Sequence, residues 1–243
     1  MILAYLTGFN ETKFRYGHFT DKEERIIRQA VWVMEQYKDN FFIVQMPSPR
    51  IDLVKNLVRE QVLLHGIEYV FFDYIFICPS LLSEFKGVAL RNDEILLMFS
   101  TALKELAVEL NICVFTSTQV NANADSNTNI RNESTIAGSR AIINKADVGM
   151  VMARPTKEEI DFFISTGQAV PNMVTDIYKV RSGEWNQVRI WSAIDLGCLR
   201  KEDLYITNSR LEFLEGFNRS FIYEFDWEND NWVDQLKKVN EIK

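Results

Sequence analysis

The chain has 243 residues, a length for one sizeable domain or two small ones, and its 47% hydrophobic and 25% charged composition is globular rather than disordered. Lys and Arg number 27 against 34 Asp and Glu, and this net charge of −7 argues against coating nucleic acid through overall basicity. Charge interrupts every apolar run before the roughly 18 residues of a membrane span, and Met1-Ile-Leu-Ala-Tyr-Leu-Thr7 lacks the features of a secretory signal, so a soluble cytoplasmic chain is expected.

Thr20-Asp-Lys-Glu23 has capping-box spacing, and Ile26, Ala30, Val33 and Tyr37 follow at helical intervals. The apolar run Phe41-Phe-Ile-Val-Gln-Met46, ended by Pro47 and Pro49, predicts a buried strand. Ser48-Pro49 then serves as N-cap and first turn of a helix carried by Ile51, Val54, Val58 and Val62, with His65 and Gly66 at its end. Tyr69 to Ile77 is a second buried strand with Asp73 inside it. Asn92 opens a long helix striped by Leu96, Phe99, Leu103, Leu106 and Leu110, and Ile112 to Gln119 is the next strand. Strands over Val148–Ala153, Met173–Val180 and Val188–Leu196 complete the set. The early strands alternate with helices, which requires right-handed crossovers and a mainly parallel sheet with helices on both faces. The later strands follow one another through turns such as Ser182-Gly183, so the α/β sheet is expected to end in antiparallel strands.

Cys78, Cys113 and Cys198 are far apart, and the apolar neighbours of the first two predict buried, reduced thiols rather than a zinc site. Charge is uneven: six acids stand against Arg219 alone between Glu215 and Asp234, among the aromatics Phe213, Phe217, Phe221, Tyr223, Phe225, Trp227 and Trp232. A strand and terminal helix, aromatic face inward, are expected there, with a partner-docking tail as the alternative. Asn121 to Asn132 holds five Asn and reads as a polar loop at the carboxyl end of a strand, where open α/β sheets bind ligands.

Three groups suggest chemistry. Asp73 follows four apolar residues, the pattern of a Walker B aspartate that holds Mg²⁺ on nucleotide phosphates, although an aspartate capping the next turn has the same pattern. Gln119 ends the next strand, placed to reach a γ-phosphate or an attacking water. Lys179 and Arg181, two apart on a strand, face one side just before a turn, either as solvated cations on a hairpin or as a pair offered to a neighbouring subunit's nucleotide.

The order of these features, with Leu103 to Gln119 as helix and strand and Ala141-Ile-Ile-Asn-Lys-Ala-Asp147-Val as the segment that follows, resembles the RecA-like motor domain of DnaB-type replicative helicases from about Leu3 to Asp203. The resemblance implies a partial motor domain over residues 1–202 and an acidic, aromatic extension over 203–243. It implies ATP and Mg²⁺ as cofactors of the complete motor, with Asp73 holding the metal, Gln119 sensing phosphate, and Lys179 with Arg181 supplied in trans within a homo-oligomeric ring, expected as a hexamer. It implies single-stranded DNA as partner, touched by Asn121, Asn123, Arg131, Gly138, Ser139, Arg140 and Lys145, in replication of a nucleoid, phage or plasmid. Main-line members carry Arg-Glu-Ser-Gly where this chain has Ala137-Gly-Ser-Arg140. No Gly-x-x-x-x-Gly-Lys-Ser/Thr phosphate loop occurs in the sequence. The expectation is therefore a fragment, a split-gene product or a truncated relative, inactive alone, its P-loop supplied upstream. The alternative is a non-catalytic RecA-like module that assembles with DNA or a helicase partner.

Overall fold

The computed structural model describes residues 1–85, 87, 90–119, 140–183, 187–214, 226, 227, 231 and 233–235, with only the backbone described at 140–142. Three helices come first: α1 (Ile2–Thr7), α2 (Glu11–Tyr16) and α3 (Asp21–Gln36). The Thr20–Glu23 capping box forms as the spacing predicts, with each side chain accepting from the other residue's backbone N–H, and α3 buries Ile26, Ala30 and Val33.

The segment Phe41–Met46 is not a strand. Phe41, Phe42, Ile43 and Val44 are exposed, Phe42 stacks on His65 at 4.2 Å between ring centroids, and Met46 packs against the core. Helix α4 (Ile51–His65) begins after Arg50 rather than at Ser48-Pro49. Its first N–H, on Ile51, donates to Glu84 Oε2 at 3.2 Å, so a carboxylate at the end of α5 (Pro79–Ser83) takes the place of the expected serine cap. At the other end, Gly66 adopts φ 64° and closes the helix after His65.

Strand β1 (Tyr69–Phe72) is shorter than the predicted Tyr69–Ile77, and β2 (Cys113–Thr116) pairs with it in parallel, Tyr69 opposite Cys113 and Phe72 opposite Thr116. Helix α6 (Asn92–Leu110) lies between them in sequence and buries the predicted stripe of Leu96, Phe99, Leu103 and Leu106. With Val54 and Val58 of α4 these residues form a core that receives Val70, Phe72 and Val114 from one face of the pair. The other face is open. Tyr69 is 62% and Phe71 71% exposed, and Phe71 stacks on Phe115 at 4.8 Å. Cys113 is exposed with them, contrary to the expected buried thiol, because its strand position turns it outward; Cys78 and Cys198 are buried.

After α7 (Arg140–Lys145), strands β3 (Val148–Ala153), β4 (Met173–Val180), β5 (Val188–Asp195) and β6 (Arg200–Asn208) form an antiparallel sheet in that order. The parallel part of the fold is thus the β1–β2 pair, and the antiparallel end is a four-stranded ladder. Helix α8 (Lys157–Ser165), not anticipated from sequence, opens on a second capping box, Thr156 with Glu159, and seats Phe163 against Val174 and Trp191. Trp191 Nε1 donates to Thr207 Oγ1 at 2.8 Å, so the buried indole is satisfied. Beside this core, Arg189 lies between two buried carboxylates, 2.9 Å from Asp176 and 3.2 Å from Glu159.

Strand β6 runs across the expected 202/203 boundary, pairing Glu202 with Ala193 and Asp203 with Ser192. Arg200 donates to Tyr5 O and Leu6 O, at 2.8 and 2.7 Å, and so caps the end of α1. Of the aromatic extension, Phe213 meets Phe163 and Tyr205, and Trp227 Nε1 donates to Leu6 O at 2.9 Å. Phe217, Phe221, Tyr223, Phe225 and Trp232 lie outside the described residues. Among the described residues no helix is long and apolar enough to cross a membrane.

Candidate active site

Parallel pairing brings the carboxyl ends of β1 and β2 to one edge, and the register that sets Phe72 against Thr116 brings Asp73 beside Ser117. Ser117 Oγ donates to Asp73 Oδ1 at 3.1 Å, Ile75 N donates to Ser117 O at 3.1 Å, and Thr116 Oγ1 donates to Phe72 O at 2.9 Å. Gln119 Nε2 donates to Tyr74 OH at 3.3 Å. The Asp73–Tyr74 peptide bond is cis. Asp73 and Gln119, named separately from the sequence, therefore stand on the same edge, each held by a residue of the neighbouring segment.

Asp73 is exposed, not inside a buried strand, because β1 ends one residue before it. Among the described residues its Oδ2 accepts no hydrogen bond, and no group of three His, Cys, Asp or Glu is placed to hold a metal ion. That donor set fits Mg²⁺, which keeps several waters and takes one or two carboxylates together with nucleotide phosphates.

Lys179 and Arg181 form a second group at the end of β4. Both turn toward the last carbonyls of α7, as their alternate spacing requires: Lys179 Nζ donates to Ile143 O at 2.6 Å and Arg181 Nη2 to Asn144 O at 3.1 Å. They are not merely solvated on a hairpin, since a helix C-terminus leaves its final carbonyls without intrahelical partners and favours cations. Arg181 N also donates to Asp147 O at 2.8 Å, and its Nη1 lies 3.1 Å from Asp147 Oδ1. The second oxygen of Asp147 is 2.5 Å from Lys104 Nζ on α6. The Lys104 ammonium above all, with Arg181 and Lys179 adding to it, holds the Asp147 carboxyl below the ordinary carboxylate range.

Of the expected DNA contacts, Asn121, Asn123, Arg131, Gly138 and Ser139 lie outside the described residues; Arg140 begins α7 and Lys145 ends it. Sequence reasoning did not single out Ser117, Tyr74, Lys104 or Asp147 for a role. Ser117 and Tyr74 flank the two suspected residues, and strand register alone would have found Ser117. Lys104 and Asp147 are 43 residues apart, and no sequence spacing joins them.

The family described as the DnaB-like helicase C terminal domain matches residues 1–194. The SPbeta prophage-derived uncharacterized protein YorI of Bacillus subtilis (strain 168) is 30% identical over 218 residues, 86% of this chain and 43% of that protein. Among solved structures, one described as an ATPase domain superposes with a TM-score of 0.64 at 16% identity, over 82% of this chain and 67% of that one. A DnaB-like replicative helicase, solved in a study of its interactions with primase, gives 0.62 at 16% identity, over 81% of this chain and 45% of that one. These two likenesses establish the RecA-like α/β fold. The chain spans less than half the length of the curated relative it matches.

Proposed function

The chain belongs to the DnaB-like helicase C-terminal domain family, and from that premise we propose that it supplies the metal-holding and sensing edge of an ATP-driven replicative DNA helicase motor. The observation that carries this reading is the meeting of Asp73 and Gln119 at the carboxyl edge of the β1–β2 pair, with one Asp73 oxygen fixed by Ser117 and the other open. Asp73 would hold the hydrated Mg²⁺ of bound ATP, an ion that neutralises charge on the β- and γ-phosphates. Gln119 orients toward the terminal phosphate. Lys179 and Arg181 act at the nucleotide of an adjacent subunit in a ring, expected to be a hexamer. Single-stranded DNA is held through its backbone by the polar segment from Asn121 and by Arg131, Gly138, Ser139, Arg140 and Lys145, in cytoplasmic replication of a chromosome, prophage or plasmid.

The grip on the phosphates comes from a P-loop-bearing segment, because none of the 243 residues supplies that motif. The bare aromatic face of Tyr69, Phe71 and Phe115 supports this, since parallel strands are normally covered on both faces. A second reading, a passive module that only assembles with a helicase or DNA, is favoured by one observation: Lys179 and Arg181 are both engaged with α7. ATP hydrolysis separates the two. The chain alone should turn over no ATP, and joined to a family P-loop segment it should show turnover that Asp73→Asn removes. Turnover indifferent to Asp73, or none in the joined protein when it binds nucleotide, would sink the motor reading.

A further inference from the structure

We infer that Asp147, braced by Lys104, is the positioning residue that fixes the Arg181 guanidinium at the end of β4. This rests on the reading of Arg181 as a cation supplied to a neighbouring nucleotide. An arginine at a strand end next to a Ser-Gly turn has many rotamers, and a group that must meet phosphate in another subunit loses effect if it wanders. Here Arg181 is fixed at three points: its backbone N–H on Asp147 O, Nη1 on Asp147 Oδ1, and Nη2 on Asn144 O. The side chain nevertheless remains 49% exposed, and these contacts use only part of a guanidinium's donor set.

The charge count explains why two cations share one carboxylate. Asp147 with Arg181 alone would be a neutral pair, its positive charge spent. Lys104 takes the second oxygen, so the trio carries a net +1, and Lys179 beside it raises the group to +2. The end of β4 is thereby held in place while staying electropositive, which is what a site for developing phosphate charge requires. Lys104 also fixes the reference frame. It lies on α6, the helix that leads into β2 and so to Gln119, so Arg181 is positioned relative to the edge carrying its own subunit's Asp73.

The direct test is nitrogen-15 NMR of the Arg181 side chain in the 243-residue protein. Its Nε–H should be ordered in the wild type and mobile in Asp147→Asn, with an intermediate loss in Lys104→Met that Lys104→Arg restores, while amide shifts in β3 and β5 stay in place. In the P-loop-joined assembly, Asp147→Asn should lower turnover about 10²-fold at unchanged KM for ATP. It should add nothing to Arg181→Ala. Unchanged Arg181 order in both Asp147→Asn and Lys104→Met overturns the assignment, as does a change in those variants that spreads through the β3–β5 amides, the mark of a merely structural role. If Arg181→Ala leaves turnover intact, the trans-cation reading fails, while loss of Arg181 order in Asp147→Asn still establishes the positioning.

Discussion

The two sheets are built from similar apolar strands and finish them differently. In the β3–β6 ladder each strand pairs with the next, α8 closes one face, and Phe163, Val174 and Trp191 are fully buried. Beside that core three charged groups are internal: Arg189, Glu159 and Asp176 lie together in the protein interior. The β1–β2 pair has four residues to a strand, one covered face and one face of exposed aromatics, and its polar groups gather at the carboxyl edge. Antiparallel strands joined by turns complete one another within a short stretch of chain, whereas parallel strands depend on layers contributed by distant segments. The ladder completes its pairing within one stretch of chain, whereas the pair covers one face with α4 and α6 and leaves its aromatic face and carboxyl edge open.

The largest effect should come from the ladder. Arg189→Met leaves Glu159 and Asp176 buried without their cation and should destabilise the fold by about 3–5 kcal/mol, read by urea unfolding. A cost no larger than that of an exposed substitution would mean the network is solvated and the contrast between the sheets is false. Phe71→Ser, on the open face of the pair, should change stability by no more than about 0.5 kcal/mol in the chain alone. A core-sized loss there would show that the face is already covered.

A smaller effect lies in the N-terminal helices, where sheet completion plays no part. The Lys13 ammonium, with help from the Thr20 backbone N–H, lowers the Glu23 carboxyl from 4.5 to about 2. A carboxylate depressed on folding contributes stability that is fully present above pH 4.5 and lost as pH falls toward 2. Lys13→Met should therefore lower stability at neutral pH and leave it nearly unchanged near pH 2, which flattens the acid limb in that window. Superimposable acid limbs would remove the ion pair from the account.

What the sequence made legible follows the same division. The capping box at Thr20, the stripe of α6 and the strands β3 to β5 all came through, because each is decided by local chemistry or by a face covered nearby. Phe41–Met46 and the outward residues Tyr69, Phe71 and Cys113 read as buried because their pattern is that of two-sided cover, and the described residues cover one side only. Helix α8 was missed although Thr156-x-x-Glu159 is a capping box in plain view, and α4 starts late because its cap arrives from Glu84, 33 residues away. Asp73, Gln119, Lys179 and Arg181 could be named from motif order. Their holders were legible only in space: Ser117 through strand register, Asp147 and Lys104 through the packing of α6 on α7.

The central claim is that Asp73 of one subunit and Arg181 of the next belong to a single nucleotide site. It is tested most directly by mixing Asp73→Asn and Arg181→Ala proteins in the P-loop-joined assembly and measuring ATP turnover. An arginine supplied in trans is worth about 10³–10⁵ in rate, so Arg181→Ala should be nearly inactive, as should Asp73→Asn. The mixture should recover part of the wild-type rate, because some junctions then pair an intact Asp73 with an intact Arg181. Turnover near normal in either single variant, or no recovery on mixing while subunits demonstrably exchange, would contradict the shared site.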